Sequence, residues 1–337
     1  MRVIHKTKIT LAICAAFSLS ACSSTAHQTI DVTANQVTTT QPFDAAIKNN
    51  SLAINETETL AVASISSESA IKIYNLTSKQ LITSLTGYVT PRNIQFAADG
   101  KSFYISDSSL GIVRQVTTNE FKTIREIAIG QGAFGFAIYK DEMFVNNEAA
   151  NTVSVVNLQS GKIKLTLDGF NEPRQGIKVG PSGRYVYVTN FKGDDVRVID
   201  TQSWQIVKTL TGVPGVRAIS ISPDESKLYG ASSASNSLRI ISIKNNQLLQ
   251  SIPTGNEPYG AALSSDGGTI VVGNKEDNTV QVFDVRNYAL IRTISGLNEP
   301  RQAIIYSKTS GKLFVLQKDL SIAIVNYENN HPLTIIK

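Results

Sequence analysis

Four arginines and two aromatic residues recur at nearly equal intervals along the chain and are the strongest candidates for chemistry. Counted from Asn49, the column consists of Arg92, Phe134, Arg174, Arg217, Tyr259 and Arg301, at intervals of 40 to 43 residues. Guanidinium groups held close together suit a carboxylate, a phosphate or a nucleic-acid backbone, and aromatic rings can stack on a planar ligand. We therefore predict that these six residues bind a ligand.

Ion pairing is the structural alternative for the same arginines. Glu172 and Glu299 lie two residues before Arg174 and Arg301, so each arginine can pair locally and simply hold neighbouring elements together. Acidic residues also recur in the loops between the second and third predicted strands of the repeated units, at Asp107, Glu148, Asp194, Asp195, Glu276, Asp277 and Asp319. These carboxylates argue against a broad surface for polyanions, so an anion would have to reach the arginines themselves.

The chain has few of the residue types that a catalytic site would need. Beyond residue 22 the only histidines are His27 and His331, which nearly excludes a histidine-based triad or a multi-histidine metal site. Carboxylate-bound Ca²⁺ at Asp194-Asp195 or Glu276-Asp277 is a minor alternative. We predict no catalytic residue, no metal and no cofactor.

The candidate column belongs to a repeated unit. The apolar residue that opens the second strand-like run of each unit falls at Ile71, Ile112, Val153, Val196, Leu238, Val280 and Ile322, at intervals of 41 to 43 residues. Each unit has about four short β-branched runs and no helical periodicity, which is typical of one four-stranded propeller blade. We therefore predict an all-β, seven-bladed β-propeller over residues 46–337.

This architecture would bring the column together. The innermost strands of a propeller surround its axis, and the column lies just before each predicted innermost strand, so its members would rim one mouth of the central channel. Asn-Glu-Pro triplets precede Arg174, Tyr259 and Arg301. Proline fixes φ and restricts the residue before it, which would stiffen the chain at these positions.

One unit carries a family motif. Tyr187-Val188-Thr189-Asn190 is followed by Val196-Arg197-Val198-Ile199-Asp200 and by Val207-Lys208-Thr209-Leu210, and this pattern resembles the YVTN-repeat β-propeller family over residues 46–337. Only this fourth unit has the tetrapeptide intact. The resemblance implies the fold and leaves function open, because family members include binding proteins and relatives of lactonases and of haem or quinone enzymes.

The N-terminus is predicted to be a lipoprotein signal peptide, residues 1–21. A basic leader precedes an apolar run, Ile9 to Ala21, that is too short to span a bilayer. Leu19-Ser20-Ala21-Cys22 resembles a bacterial lipobox, which implies lipidation of Cys22, and Ser23 favours sorting to the outer membrane. Residues 22–45 are predicted to be the lipidated cysteine and a flexible tether, because Ser, Thr, Ala and Gln bury too little surface to order the chain. Whether Ile30-Asp31-Val32 adds a strand to a blade is left open.

Removal of the leader changes the charge of the protein. The chain has 32 Lys and Arg against 27 Asp and Glu. Arg2, Lys6 and Lys8 leave with the signal, so the mature chain has 29 basic residues against 27 acidic ones, a charge of +2. The basic balance of the whole sequence is therefore weak support for a polyanionic partner.

The sequence thus predicts a lipid-anchored monomer of the bacterial cell envelope, in the outer membrane and facing the periplasm. It would act as a binding or scaffolding protein, for an anionic ligand at the channel mouth or for another envelope protein. A nucleic-acid backbone is one such anion. The alternative is a lactonase-type hydrolase working from carboxylates and arginines at the mouth.

Overall fold

Seven four-stranded antiparallel sheets follow one another along the chain in the computed structural model, which describes residues 43, 44, 46–307, 309–326, 332 and 334–337. Each sheet is a meander of strands consecutive in sequence. The predicted all-β, seven-bladed propeller is therefore confirmed. The predicted signal peptide (1–21), Cys22, the tether up to residue 42 and His331 lie outside the described residues.

The strands have closely similar lengths in all blades. Blades 1 to 4 consist of β1 (Asn50–Ile54), β2 (Leu60–Ile65), β3 (Ile71–Asn75), β4 (Gln80–Leu85); β5 (Pro91–Phe96), β6 (Ser102–Asp107), β7 (Ile112–Thr117), β8 (Thr123–Ala128); β9 (Ala133–Tyr139), β10 (Glu142–Asn147), β11 (Thr152–Asn157), β12 (Lys162–Leu167); and β13 (Pro173–Val179), β14 (Tyr185–Asn190), β15 (Asp195–Asp200), β16 (Gln205–Leu210). Blades 5 to 7 consist of β17 (Val216–Ile221), β18 (Lys227–Ser232), β19 (Ser237–Ser242), β20 (Gln247–Pro253); β21 (Pro258–Leu263), β22 (Thr269–Asn274), β23 (Thr279–Asp284), β24 (Leu290–Ile294); and β25 (Ile304–Tyr306), β26 (Leu313–Leu316), β27 (Ile322–Val325), β28 (Thr334–Ile336).

Helical structure is almost absent from this part of the chain. A single 3-10 turn, Phe191–Gly193, connects β14 to β15. None of the described residues form a helix that is long and apolar enough to cross a membrane.

Residue types that favour turns lie at the connections between strands within the blades. Gly100, Gly183 and Gly267 connect first to second strands with φ of +67°, +71° and +71°, a conformation that glycine adopts without strain. The third strand ends on Asn or Asp in blades 1, 3, 4 and 6, and Asn75 shows why. Its Oδ1 accepts hydrogen bonds from the next turn, from Thr77 N at 2.9 Å and Ser78 N at 2.8 Å.

The asparagine of the YVTN motif connects the end of the second strand to the chain that enters the blade. Asn190 Oδ1 accepts a hydrogen bond from Asn171 N, which precedes β13. The same position in blade 2 is Asp107, whose Oδ2 accepts from Val89 N at 2.7 Å. This acceptor fixes the approach to the innermost strand, which is where the candidate column lies.

Apolar clusters fill the interfaces between neighbouring blades, and one of them closes the ring. Leu52 and Tyr74 of blade 1 share a buried cluster with Phe314 and Ile336 of blade 7. The last blade therefore packs against the first, as predicted. Its outer strand, β28, comes from the C-terminal residues, although Leu333 of the predicted strand lies outside the described residues.

Candidate functional site

The candidate column lies at β-bulges of the innermost strands. In blades 2, 5 and 6 the register shifts by one residue at this position, and the unpaired residue is Arg92, Arg217 or Tyr259. In blade 4 the irregular stretch is longer, because Pro173 pairs with Asn190 and the next paired residue is Ile177. A bulge re-aims a side chain out of the sheet pattern, so the repeated irregularity explains why these side chains meet at one mouth.

Arg92 is enclosed by protein. Its side chain is 0% exposed, and its guanidinium stacks on Phe134 with 4.4 Å from Cζ to the ring centroid. Nε donates to Ser108 Oγ at 2.8 Å, and Nη1 donates to Asn49 Oδ1 and Ile47 O, both at 2.8 Å. Burial lowers the pKa of Arg92 to about 10, against the opposing effect of Asp44 and other nearby carboxylates. This geometry assigns Arg92 a role in holding the fold together, so we leave it out of the ligand contacts.

Arg217 is placed very differently, between two aromatic rings. Its Cζ lies 4.4 Å from the Phe191 centroid and 4.8 Å from the Tyr259 centroid. Within the described part of the chain it makes one hydrogen bond, from Nε to Ser233 Oγ at 3.1 Å, and no ion pair. Burial lowers the pKa of Arg217, the positive charges of Arg174 and Arg301 add to this effect, and Tyr259 and Glu257 oppose it.

Arg174 and Arg301 make the local ion pairs that the structural alternative predicted. Arg174 Nη2 lies 2.5 Å from Glu172 Oε2, and Arg301 Nη2 lies 3.0 Å from Glu299 Oε2. Burial opposes ionisation of Glu172, but hydrogen bonds from Lys192 and Arg174 outweigh it and lower the pKa of this carboxyl group. Arg174 still lines the mouth despite this pairing. Its guanidinium stacks on Phe191 at 4.0 Å, and its buried Nε has no hydrogen-bond partner among the described residues.

A small cavity lies between these groups, and the empty space there is about 350 Å³ when the part open to solvent is included. Its lining residues are Ile47, Lys48, Asn49, Phe134, Arg174, Gln175, Thr189, Phe191, Val216, Arg217, Tyr259 and Gln302. The lining holds three cationic side chains and no carboxylate. It also holds a buried acceptor, Gln302 Oε1, that no donor reaches. Of the six predicted ligand residues, the structure places Phe134, Arg174, Arg217 and Tyr259 in this lining.

Gln175 connects three blades at this cavity. Its Oε1 accepts a hydrogen bond from Asn49 Nδ2 of the chain entering blade 1 at 3.0 Å, and its Nε2 donates to Asn93 Oδ1 of blade 2 at 2.9 Å. Gln175 belongs to the long bulge of blade 4, whose extra length lets the side chain reach so far. Buried amide networks that are satisfied in this way fix the geometry around them.

A second column at the mouth was not recognised from the sequence. It consists of the residues that follow the second-strand acceptor position, namely Ser66, Ser108, Glu148, Phe191, Ser233, Lys275 and Lys318, at intervals of 40 to 43 residues. Its members contact the first column: Ser108 and Ser233 accept from Arg92 and Arg217. This column has the same period as the first one, but the variety of its residue types makes it hard to recognise in the sequence.

The acidic loops have structural partners. Asp194 Oδ1 accepts from Gly215 N at 2.8 Å, and Asp277 Oδ2 accepts from Asn256 N at 2.8 Å. Asp194 thus fixes the chain that enters the next blade, and Asp277 fixes the chain that enters its own blade. Among the described residues there is no group of three or more His, Cys, Asp or Glu side chains that could hold a metal ion.

Comparisons with known proteins agree with the fold. Residues 198–292 match the model of a family described as "Lactonase, 7-bladed beta-propeller". The matched stretch runs from β15 to β24, less than a third of the chain, and includes Arg217 and Tyr259. No curated protein matches the sequence significantly.

Among solved structures, hydrazine synthase of Kuenenia stuttgartiensis is similar with a TM-score of 0.73. The alignment covers 82% of this chain and 94% of that chain at 14% sequence identity. At this identity the likeness concerns the fold alone.

Proposed function

We propose that this seven-bladed propeller is a binding protein of the bacterial cell envelope, anchored by lipid at Cys22, and that it takes a small anionic ligand in the mouth cavity. The observation that carries the proposal is Arg217, stacked between Phe191 and Tyr259 with no carboxylate partner in the described chain. A guanidinium that is held flat by two rings keeps its N–H edge oriented for bidentate contact with a carboxylate or phosphate.

The surrounding groups support a small ligand with mixed hydrogen bonding. The cavity is small and partly open to solvent, so a ligand held between its side chains would also have to be small. Arg174 Nε offers a free donor, and Gln302 Oε1 offers a free acceptor. A ligand that carries both an anionic group and a hydroxyl or N–H donor would satisfy both atoms.

The rim of the mouth argues against a long polyanion. Glu257 and Glu299 pair there with Lys275 and Lys318, so the rim alternates in charge and is not a continuous basic stripe. A nucleic-acid backbone would need several cations in a row to bind strongly. Arg217, which makes no ion pair within the described chain, lies inside the cavity, where a small anion fits.

Titration calorimetry can test the proposal. We would titrate sulfate, a sugar phosphate and a short single-stranded DNA into the protein at two salt concentrations. Arg217→Ala should weaken binding of the preferred small anion by about 10- to 100-fold, because it removes a charged hydrogen bond worth roughly 1.5–3 kcal/mol. Arg286→Ala is the matched control, because the Arg286 side chain is 86% exposed and lies in the turn between β23 and β24, away from the start of the innermost strand that forms the mouth. Equal binding by wild type and Arg217→Ala would contradict the assignment of this site.

Hydrolysis of a lactone is the second candidate, and the match of residues 198–292 to the lactonase family favours it. Ring opening needs a general base within reach of the attacking water. The cavity lining contains no carboxylate and no imidazole, so we rank binding ahead of hydrolysis. Turnover of a lactone by the purified protein, lost in Arg174→Ala, would reverse this order.

Anchoring is tested separately. Cys22→Ser should release the protein from the membrane fraction or block its processing, because stable attachment of a lipoprotein depends on its acyl chains. Fractionation of cells that express each variant, followed by immunoblotting, measures this. Normal cleavage with full membrane retention in Cys22→Ser would contradict the lipoprotein assignment and leave the cavity assignment untouched.

A further inference from the structure

One aromatic ring at the mouth is shared by two arginines. The guanidinium Cζ of Arg174 lies 4.0 Å from the centroid of the Phe191 ring, and that of Arg217 lies 4.4 Å from the same centroid. The two Cζ atoms can therefore be no farther apart than the sum of these distances, 8.4 Å. Arg174 belongs to β13 of blade 4 and Arg217 to β17 of blade 5, so side chains of neighbouring blades lie within reach of one small molecule.

A second ring holds Arg217 in position. The Cζ atom of Arg217 lies 4.8 Å from the centroid of Tyr259, which belongs to blade 6. Phe191 and Tyr259 together restrict rotation of the guanidinium group, because a cation is attracted to the face of an aromatic ring. A ligand that binds a group already held in this way loses little side-chain entropy. Phe191 and Tyr259 are therefore positioning residues.

Both guanidinium groups keep N–H groups that the protein does not use. Arg217 donates only from Nε, to Ser233 Oγ at 3.1 Å, so neither of its Nη atoms has a partner within the described chain. Arg174 donates to Glu172 Oε2 from Nη2 at 2.5 Å, and its buried Nε has no partner among the described residues. A buried donor without a partner is costly, and each of the two groups can still bind a carboxylate.

The positive charge of these groups is only partly compensated by protein. Glu172 is shared between two cations, since it pairs with both Arg174 and Lys192. These three side chains together therefore keep one positive charge. Arg217 makes no ion pair within the part of the chain that the structure describes. Two positive charges thus remain around the Phe191 ring.

We propose that the ligand of the mouth cavity is a short dicarboxylate, with one carboxylate bound by Arg217 and the other by Arg174. This inference rests on the proposed function and names the ligand class of the same site. Each carboxylate brings one negative charge and two oxygen atoms that fit the edge of a guanidinium group, so two of them match the charges and the free donors. The backbone between them must be short, because the cavity is small and the two Cζ atoms lie at most 8.4 Å apart.

Ligands with a single acidic group would use only part of this arrangement. A monocarboxylate would pair with one guanidinium group and leave the charge of the other uncompensated. Sulfate has two charges on one centre, so it can neutralise the site but cannot extend between two separate groups. A preference for a dicarboxylate over both of these anions is therefore the result expected of two separate carboxylate positions.

Titration calorimetry of the full-length protein with acetate, succinate, glutarate and sulfate tests this inference. At pH 8 and constant ionic strength all the carboxyl groups of these probes are ionised, so the comparison concerns the number and spacing of the acidic groups. The better dicarboxylate should bind about 10- to 100-fold more tightly than acetate or sulfate, which is the factor expected from one additional charged hydrogen bond.

Variants identify the groups that produce the preference. Arg174→Gln and Arg217→Gln should each abolish the preference for the dicarboxylate over acetate, because one carboxylate loses its partner. Phe191→Leu keeps both charges and removes the shared ring, so it should reduce the preference by loss of positioning alone. Arg184→Gln is the matched control and should keep the wild-type preference, because Arg184 pairs with Asp200 at the end of blade 4 opposite the mouth.

Thermal melting of each variant separates loss of folding from loss of binding. Should Arg174→Gln fail to fold, the wild-type comparison and Phe191→Leu still decide the question. Equal affinity of the wild type for acetate and both dicarboxylates would overturn the inference, as would tighter binding of sulfate or an unchanged preference in Phe191→Leu and Arg217→Gln. Those results would leave the anion site itself standing. Failure of all four anions to bind would refute the proposed function and this inference with it.

Discussion

Asn49 Nδ2 donates a hydrogen bond to Gln175 Oε1 at 3.0 Å, although the two residues are separated by 126 positions and belong to blades 1 and 4. The same Asn49 side chain also donates to Arg92 O at 2.7 Å and accepts from Arg92 Nη1. A single amide thus connects the enclosed Arg92 with Gln175, which belongs to the bulge that carries Arg174. Asn49 and Gln175 both line the proposed ligand cavity.

Gln175→Ala should destabilise the fold while leaving it intact. The variant loses the bonds to Asn49 and Asn93 and leaves part of both amides unpaired, at an expected cost of about 1–2 kcal/mol in the free energy of unfolding. Urea unfolding followed by circular dichroism measures the change. Gln202→Ala is the control, because Gln202 is exposed and binds only Arg184. Equal stability of the two variants would mean that the cross-ring bonds contribute nothing measurable.

Gly135 lies in blade 3, and Gly135→Ala should disturb the bulge of the neighbouring blade 4. A Cβ atom at residue 135 would lie 2.3 Å from Gln175 O and 2.7 Å from Arg174 O, and backbone atoms cannot rotate away. We expect a loss of about 2 kcal/mol or more in stability together with weaker anion binding. In the control, Gly268→Ala, the nearest atoms belong to the exposed Asp266 side chain at 3.3 Å. A stable Gly135→Ala protein with normal binding would argue that the two blades are not packed this closely.

Arg92→Met and Arg217→Met should separate structural from ligand-binding arginines. Loss of the Arg92 guanidinium leaves Ile47 O, Asn49 Oδ1 and Ser108 Oγ without their donor, which should cost about 3 kcal/mol of stability. Arg217 makes a single hydrogen bond within the described chain, so its replacement should cost about 1 kcal/mol while abolishing anion binding. Thermal melting and calorimetry on both variants check this pair of outcomes. A larger loss of stability in Arg217→Met than in Arg92→Met would refute the division into a structural and a ligand-binding arginine.

Ile336→Ala should loosen closure of the ring. Ile336 is 1% exposed within the cluster that joins blades 7 and 1, and truncation of such a side chain costs about 2–4 kcal/mol. The adjacent Ile335→Ala is the matched control, because Ile335 is 43% exposed and should cost less than about 1 kcal/mol. Thermal unfolding of both variants compares them directly. Similar melting temperatures would mean that β28 does not contribute to the closing interface.

Sequence alone determined the features that depend on short-range chemistry. The constant period fixed the number of blades, since each unit needs a turn and four strands before it can stack on the next. Glycine at positive φ in the first turn of blades 2, 4 and 6, and Asn or Asp at the end of the third strand in blades 1, 3, 4 and 6, were predicted correctly because these residues act within a few positions of the chain. The pairs Arg174–Glu172 and Arg301–Glu299 were foreseen as an alternative for the same reason.

Only the tertiary structure decided which arginines are enclosed and which line the cavity. Arg92 and Arg217 occupy equivalent positions in the repeat, yet Arg92 donates to the carbonyl groups of Phe43 and Asp44, and Arg217 contacts Phe191 and Tyr259 of the neighbouring blades. The repeat fixes only the backbone position of each residue. The surroundings of its side chain come from adjacent blades and from the chain that precedes blade 1, so they exist only once the ring has closed and brought residues as distant as Asn49 and Gln175 into contact.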